Sequence, residues 1–115
     1  MTAQNVLNSA LNLLGYNDSN GNAQLTQNIR SRAVPLINSV YSELCRCVGK
    51  EFKSIESLGD DLNIPDRVLV EVMSPGLASY IAQAEGDSSN EAFWGQIYDN
   101  KRLSLTKTEK IEVRI

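Results

Sequence analysis

Apolar residues recur every three to four positions over most of this chain, and the runs between them are polar and turn-forming, which predicts amphipathic helices joined by loops. Val6, Leu7, Ala10, Leu11 and Leu14 make the first stripe. Thr2 ahead of it can cap the free amides of the first turn, and Gly15 behind it can take the left-handed conformation that stops a helix. Residues 16–22 are a cluster of Asn, Asp, Ser and Gly after Tyr16, a loop by composition. A second helix is predicted over 23–48, with Leu25, Ile29, Ala33, Leu36, Ile37, Val40, Tyr41, Leu44 and Val48 on its inner face and Gly49 as its stop. Pro35 removes one amide and crowds the carbonyl one turn earlier, yet the stripe continues past it, so a kink is expected there and not a break.

Periodicity disappears between Gly49 and Pro65. A connection this long is uncommon in a compact domain unless it is functional or locally structured. Its apolar residues Phe52, Ile55, Leu58 and Leu62 are expected to pin it to the bundle, leaving Lys53, Glu56, Asp60 and Asp61 for contact with a partner. A third helix opens at Pro65-Asp66, runs through Ser74-Pro75-Gly76 with a second kink, and stops at Gly86. Its stripe, from Val68 and Leu69 to Ile81 and Ala84, is apolar enough for the central helix of a bundle. Ser88-Ser89-Asn90-Glu91 has the form of a capping box for a fourth helix, with Phe93, Trp94, Ile97, Tyr98 and Leu105 facing inward.

The last ten residues change period. Ile111, Val113 and Ile115 alternate with Glu112 and Arg114, which predicts an extended strand with no partner strand in its own chain; pairing with another molecule is expected, the alternative being a strand folded back over its own helices or held only by crystal packing. The fold class expected is thus all-α: a bundle of about four helices over residues 1–105, a long loop between the second and third, and a strand-like assembly tail over 106–115.

Composition narrows the function. A chain of 115 residues with 42% hydrophobic and 22% charged residues fits one ordered domain. No apolar run is long enough to span a bilayer and no signal-peptide pattern opens the chain, so no membrane partner and cytoplasmic synthesis are expected. The net charge of −3 and a pI near 4.9 argue against gripping nucleic acid by its phosphates, since Arg30/Arg32, Lys50/Lys53 and Lys101/Arg102 are scattered pairs. There is no histidine, so zinc lacks its usual ligands and nucleophilic catalysis its usual base. Cys45 and Cys47 lie two apart on the second predicted helix and so point to different faces, and no mutual disulfide is expected. The acidic pairs Asp60-Asp61 and Glu85/Asp87 have turn and cap explanations, and no glycine-rich phosphate loop is present. Neither an enzyme nor a cofactor or metal is expected.

Three stretches have a family look: Leu-Gly-Tyr at 14–16, Leu-Ile-Asn-Ser-Val-Tyr-Ser-Glu-Leu at 36–44, and residues 52–87 with their Leu-Asn-Ile-Pro-Asp entry into the central helix. Together they resemble the head–tail connector, or adaptor, proteins of long-tailed double-stranded DNA phages and prophages. The resemblance covers most of the chain through patterns of helices and turns, without a catalytic signature. It implies a small helical bundle in a homo-oligomeric ring of twelve copies in the virion neck. The ring would sit below the portal protein, extend the DNA channel without binding DNA specifically, and dock a stopper or tail-completion protein. The tail, Ile111, Glu112, Val113, Arg114 and Ile115, would reach the portal or a neighbouring subunit. The alternative is a small helical DNA-binding or packaging-associated regulatory module, which should gather its basic residues on one helix face.

Overall fold

The computed structural model describes residues 1–16 and 26–114, with side chains as far as Leu105. It is an all-α bundle: α1 (Ala3–Leu14), α2 (Gln27–Val48), α3 (Asp66–Val68), a π-helical turn (Leu69–Met73), α4 (Ser74–Ala84) and α5 (Ser88–Arg114). Since α3, the π turn and α4 follow one another without a gap, the described residues form four helical rods. Among the described residues there is no strand; one isolated antiparallel bridge joins Thr2 to Asp61.

The predicted stops and caps explain most boundaries. The Thr2 hydroxyl accepts from the Asn5 amide at 3.3 Å, and Gly15 ends α1 at φ 75°. The Thr26 hydroxyl caps α2 by accepting from the Ile29 amide at 3.1 Å, so the helix starts at Gln27. Residues 23–25 of the expected helix lie outside the described residues. Helix α2 continues through Pro35 to Gly49, as its unbroken stripe requires.

At the other proline the chain adopts a different solution. Pro75 has no amide, and its ring would crowd the carbonyl of Glu71 in a regular helix. The preceding turn widens to π geometry, so the Ser74 amide donates to Leu69, five residues back, and the Ser74 hydroxyl donates to the same carbonyl at 3.1 Å. A buried serine is thereby satisfied inside the core.

Helix α4 is buried nearly all round and packs against α1, α2 and α5, most extensively against α5. It is the central helix, as its composition predicts. Leu7, Leu11, Ile37, Leu44, Leu69, Met73, Leu77 and Ile81 are fully buried around it, each contributing about 1.5–3 kcal/mol by leaving water. The α4–α5 seam is close because Gly76 has no side chain: a Cβ there would lie 2.6 Å from Cδ1 of Tyr98. Both helices of the seam are tied to α2: the Tyr98 hydroxyl donates to Glu43 at 2.8 Å, and the Tyr80 hydroxyl of α4 donates to the same carboxylate oxygen at 3.2 Å. Burial, then the hydrogen bond to the negative Glu43, pushes the Tyr98 hydroxyl far above its usual pKa, so it stays a donor.

Three expectations need correction. The cap of α5 is Asp87, one residue ahead of the predicted box: its carboxylate accepts from the Asn90 amide at 3.3 Å and from Asn90 Nδ2 at 2.7 Å. Phe93 does not face inward; it is 57% exposed and meets Trp94 edge to face, while Tyr98 and Leu105 carry the buried side of α5. The third is the tail, whose backbone is helical through Arg114 and not an extended strand. A helix already capped and packed propagates at the cost of one residue per added hydrogen bond, and no Gly or Pro interrupts 96–115. Branched residues favour a strand only where a sheet is there to receive them. Ile111, Glu112, Val113 and Arg114 therefore belong to α5, which runs through the expected boundary at 105/106; Ile115 lies outside the described residues.

Candidate partner-binding loop

Residues 50–65 contain no helix or strand, yet their main chain is fixed at four places. The side-chain amide of Asn38 grips Ile55 from both ends: Nδ2 donates to the Ile55 carbonyl at 3.1 Å, and Oδ1 accepts from the Ile55 amide at 2.9 Å. One side chain thus does what a neighbouring strand would do. The Tyr41 hydroxyl accepts from the Asn63 amide at 2.8 Å. The start of α1 bonds to the loop: the Ala3 amide donates to Asp60 at 2.9 Å, the Gln4 amide to Leu58 at 2.8 Å, and the Leu62 amide returns to Met1 at 3.1 Å. First-turn amides have no partner within their own helix, so the loop and α1 satisfy each other.

The fourth anchor is internal. Asp60 accepts from the amides of Glu56 (2.8 Å) and Ser57 (3.1 Å) and from the Ser57 hydroxyl (3.3 Å). Those donors, the Glu56 amide foremost, hold its carboxyl below the usual carboxylate range. Apolar contacts complete the attachment: Ile55, Leu62 and Ile64 are buried and Leu58 is partly so. Phe52 departs from expectation, being 39% exposed, with its ring edge against Tyr41 at a centroid distance of 5.5 Å.

Fixing the backbone in this way gathers the predicted loop residues. Lys53, Glu56, Asp60 and Asp61 all line one open groove of about 560 Å³, which is floored by Tyr41 and Ile55 and also bordered by Glu51. Asp60 serves the turn, whereas Lys53, Glu56 and Asp61 stand exposed. The residues that build the site, Asn38, Tyr41 and Thr2, were not predicted as such. A polar Asn38 between Ile37 and Val40 on the inner arc of α2 was the available signal. Among the described residues no group of three or more metal-ligating side chains occurs, and no described helix is long and apolar enough to cross a membrane. Cys45 is buried and Cys47 half-buried, both as free thiols.

Comparison with protein-family models, with curated proteins and with solved structures finds no match.

A second polar cluster ties the α4–α5 turn to the first half of the chain. The Tyr16 hydroxyl donates to Asp87 at 2.8 Å, and the Thr26 hydroxyl to Glu85 at 3.2 Å. Burial and the Asp87 carboxylate push the Tyr16 hydroxyl up to about 12, and the bonds from Asn90 and Tyr16 hold Asp87 below its usual value. Its geometry is that of a cap and a brace.

Proposed function

We propose that this chain is a head–tail connector subunit of a long-tailed phage or prophage: a neck protein that forms a ring under the portal, continues the DNA channel and docks a stopper or tail-completion protein. The observation that carries the reading is the loop at 50–65. Its main chain is immobilised by Asn38, Tyr41 and the start of α1, while Phe52, Lys53, Glu56 and Asp61 are left exposed. Loops fixed by a rigid scaffold commonly carry recognition. Exposed apolar side chains on the π turn and α5, Val70, Phe93 and Leu103, add surface suited to contact with neighbouring subunits. The sequence resemblance supplies the neck assignment, and an acidic chain suits a channel wall past which DNA must slide.

A ring of twelve copies is part of the proposal, as is contact of residues 111–115 with the portal or a neighbour. That contact would be made without a strand, since α5 is helical to Arg114. Val113→Asp and removal of residues 107–115 test it: portal attachment should be lost while thermal unfolding of the subunit is unchanged. Normal attachment by both variants would remove the tail from the proposal. The DNA-binding alternative predicts salt-sensitive DNA affinity of the free subunit, and a gel-shift titration across salt concentrations separates the two.

A further inference from the structure

One stretch of the loop has no main-chain partner among the described residues. Among the described residues, no group bonds to the backbone of Glu51, Phe52, Lys53 or Ser54, and all four residues are exposed. The neighbouring positions are already committed. Both main-chain groups of Ile55 are taken by Asn38, and the amides of Glu56 and Ser57 by Asp60. The loop therefore cannot fold over to cover its own open run without breaking these bonds. An exposed row of unpaired donors and acceptors is a template for a strand from another chain.

Charge identifies the chemistry of that strand. The groove beside the open run carries three exposed carboxylates, Glu51, Glu56 and Asp61, against one ammonium, Lys53, because Asp60 is turned onto its own three donors. Tyr41 and Ile55 give it an apolar floor, and Phe52 braces the rim against Tyr41. Alternate side chains of a strand laid along this edge would point into the groove.

We propose that the groove receives an extended, basic segment of a partner protein. Its main chain pairs with residues 51–54, and its Lys or Arg side chains lie against Glu51, Glu56 and Asp61. The proposal rests on the reading of the loop as a docking surface and does not require the neck assignment.

The test uses the full chain and a short fluorescent peptide of alternating Lys and Val, read by fluorescence anisotropy in low salt. Controls are the Glu-Val counterpart and two versions of the basic peptide N-methylated at alternate amides, one for each face of the strand. Expected are binding of the basic peptide, at least about tenfold weaker binding of the acidic one, and a similar loss with one methylated version. The variant carrying Glu51→Gln, Glu56→Gln and Asp61→Asn should lose about tenfold with an unchanged melting temperature, because all three side chains are exposed. No binding, equal binding of the acidic peptide, or indifference to both methylated versions overturns the proposal. A protein that forms rings yet ignores the basic peptide refutes this inference and leaves the connector reading intact.

Discussion

Replacing Asn38 with Ala removes the side chain that substitutes for a strand at Ile55. Ile55 is 5% exposed, so its amide and carbonyl would lose partners at a site from which water is largely excluded. An orphaned buried polar group costs about 1–3 kcal/mol, and the adjoining groove lets some water reach these two, which places the total near 2–4 kcal/mol. That is a large share of the roughly 5–15 kcal/mol that holds a domain of this size together. With a urea slope of about 2 kcal/mol/M, the middle of the usual range, the unfolding midpoint should fall by about 1–2 M. Hydrogen exchange supplies the second assay: the Ile55 amide should lose protection while amides of α4 change only in proportion to global stability. Ser39→Ala, one residue away on the exposed side of α2, is the control and should stay within about 0.5 kcal/mol. An unchanged midpoint with Ile55 still protected would show that the loop is held by its apolar contacts alone, and the account of the site would fail.

Gly76→Ala should destabilise by about 1–3 kcal/mol, because the new methyl would press on the Tyr98 ring; a double-mutant cycle with Tyr98→Leu should recover much of the loss, and additive effects would refute the contact. Tyr98→Phe removes a hydrogen bond to a carboxylate and should cost about 1.5–3 kcal/mol by urea unfolding, whereas a neutral effect would mean that Tyr80 satisfies Glu43 alone. Tyr16 is raised in the folded state, so its contribution is complete below pH 10 and is lost as pH rises toward about 12; Tyr16→Phe should flatten that alkaline limb of a midpoint-versus-pH curve. Asp87 and Asp60 are depressed, so theirs is present above the ordinary carboxylate value and lost as pH falls through the folded one, and Asp87→Asn should shallow the acid limb.

Helices were legible because their signals are local. Thr2, Gly15, Gly49 and Gly86 act where spacing puts them, and the stripe past Pro35 does describe one continuous helix. The cap of α5 was misplaced by one residue since Asp87 and Ser88 are both good caps by residue type, and it is Asp87 that accepts from Asn90. Phe52 and Phe93 were read inward on hydrophobicity, but burial depends on what lies opposite; both stay exposed, each in a T-shaped contact with a neighbouring ring. Alternation over three branched residues suggested a strand at the tail, although β preference is expressed only against a partner, and the helix simply continued. The loop's polar residues could be picked out because periodicity failed there. Their fixation could not, because it depends on Asn38 and Tyr41 reaching 17 and 22 residues along the chain and on amides at the very start of α1. The π turn is a compromise between Pro75 and a buried Ser74, and neither residue alone announces it.

Native mass spectrometry of the recombinant chain, alone and mixed with a portal protein from a long-tailed phage or prophage, tests the central claim most directly. The account predicts a closed ring of this chain, either alone or on the portal, and loss of the portal-bound species when the exposed loop residues Lys53, Glu56 and Asp61 are replaced together. A chain that remains monomeric or dimeric beside the portal, and instead binds duplex DNA with a steep salt dependence, would contradict it.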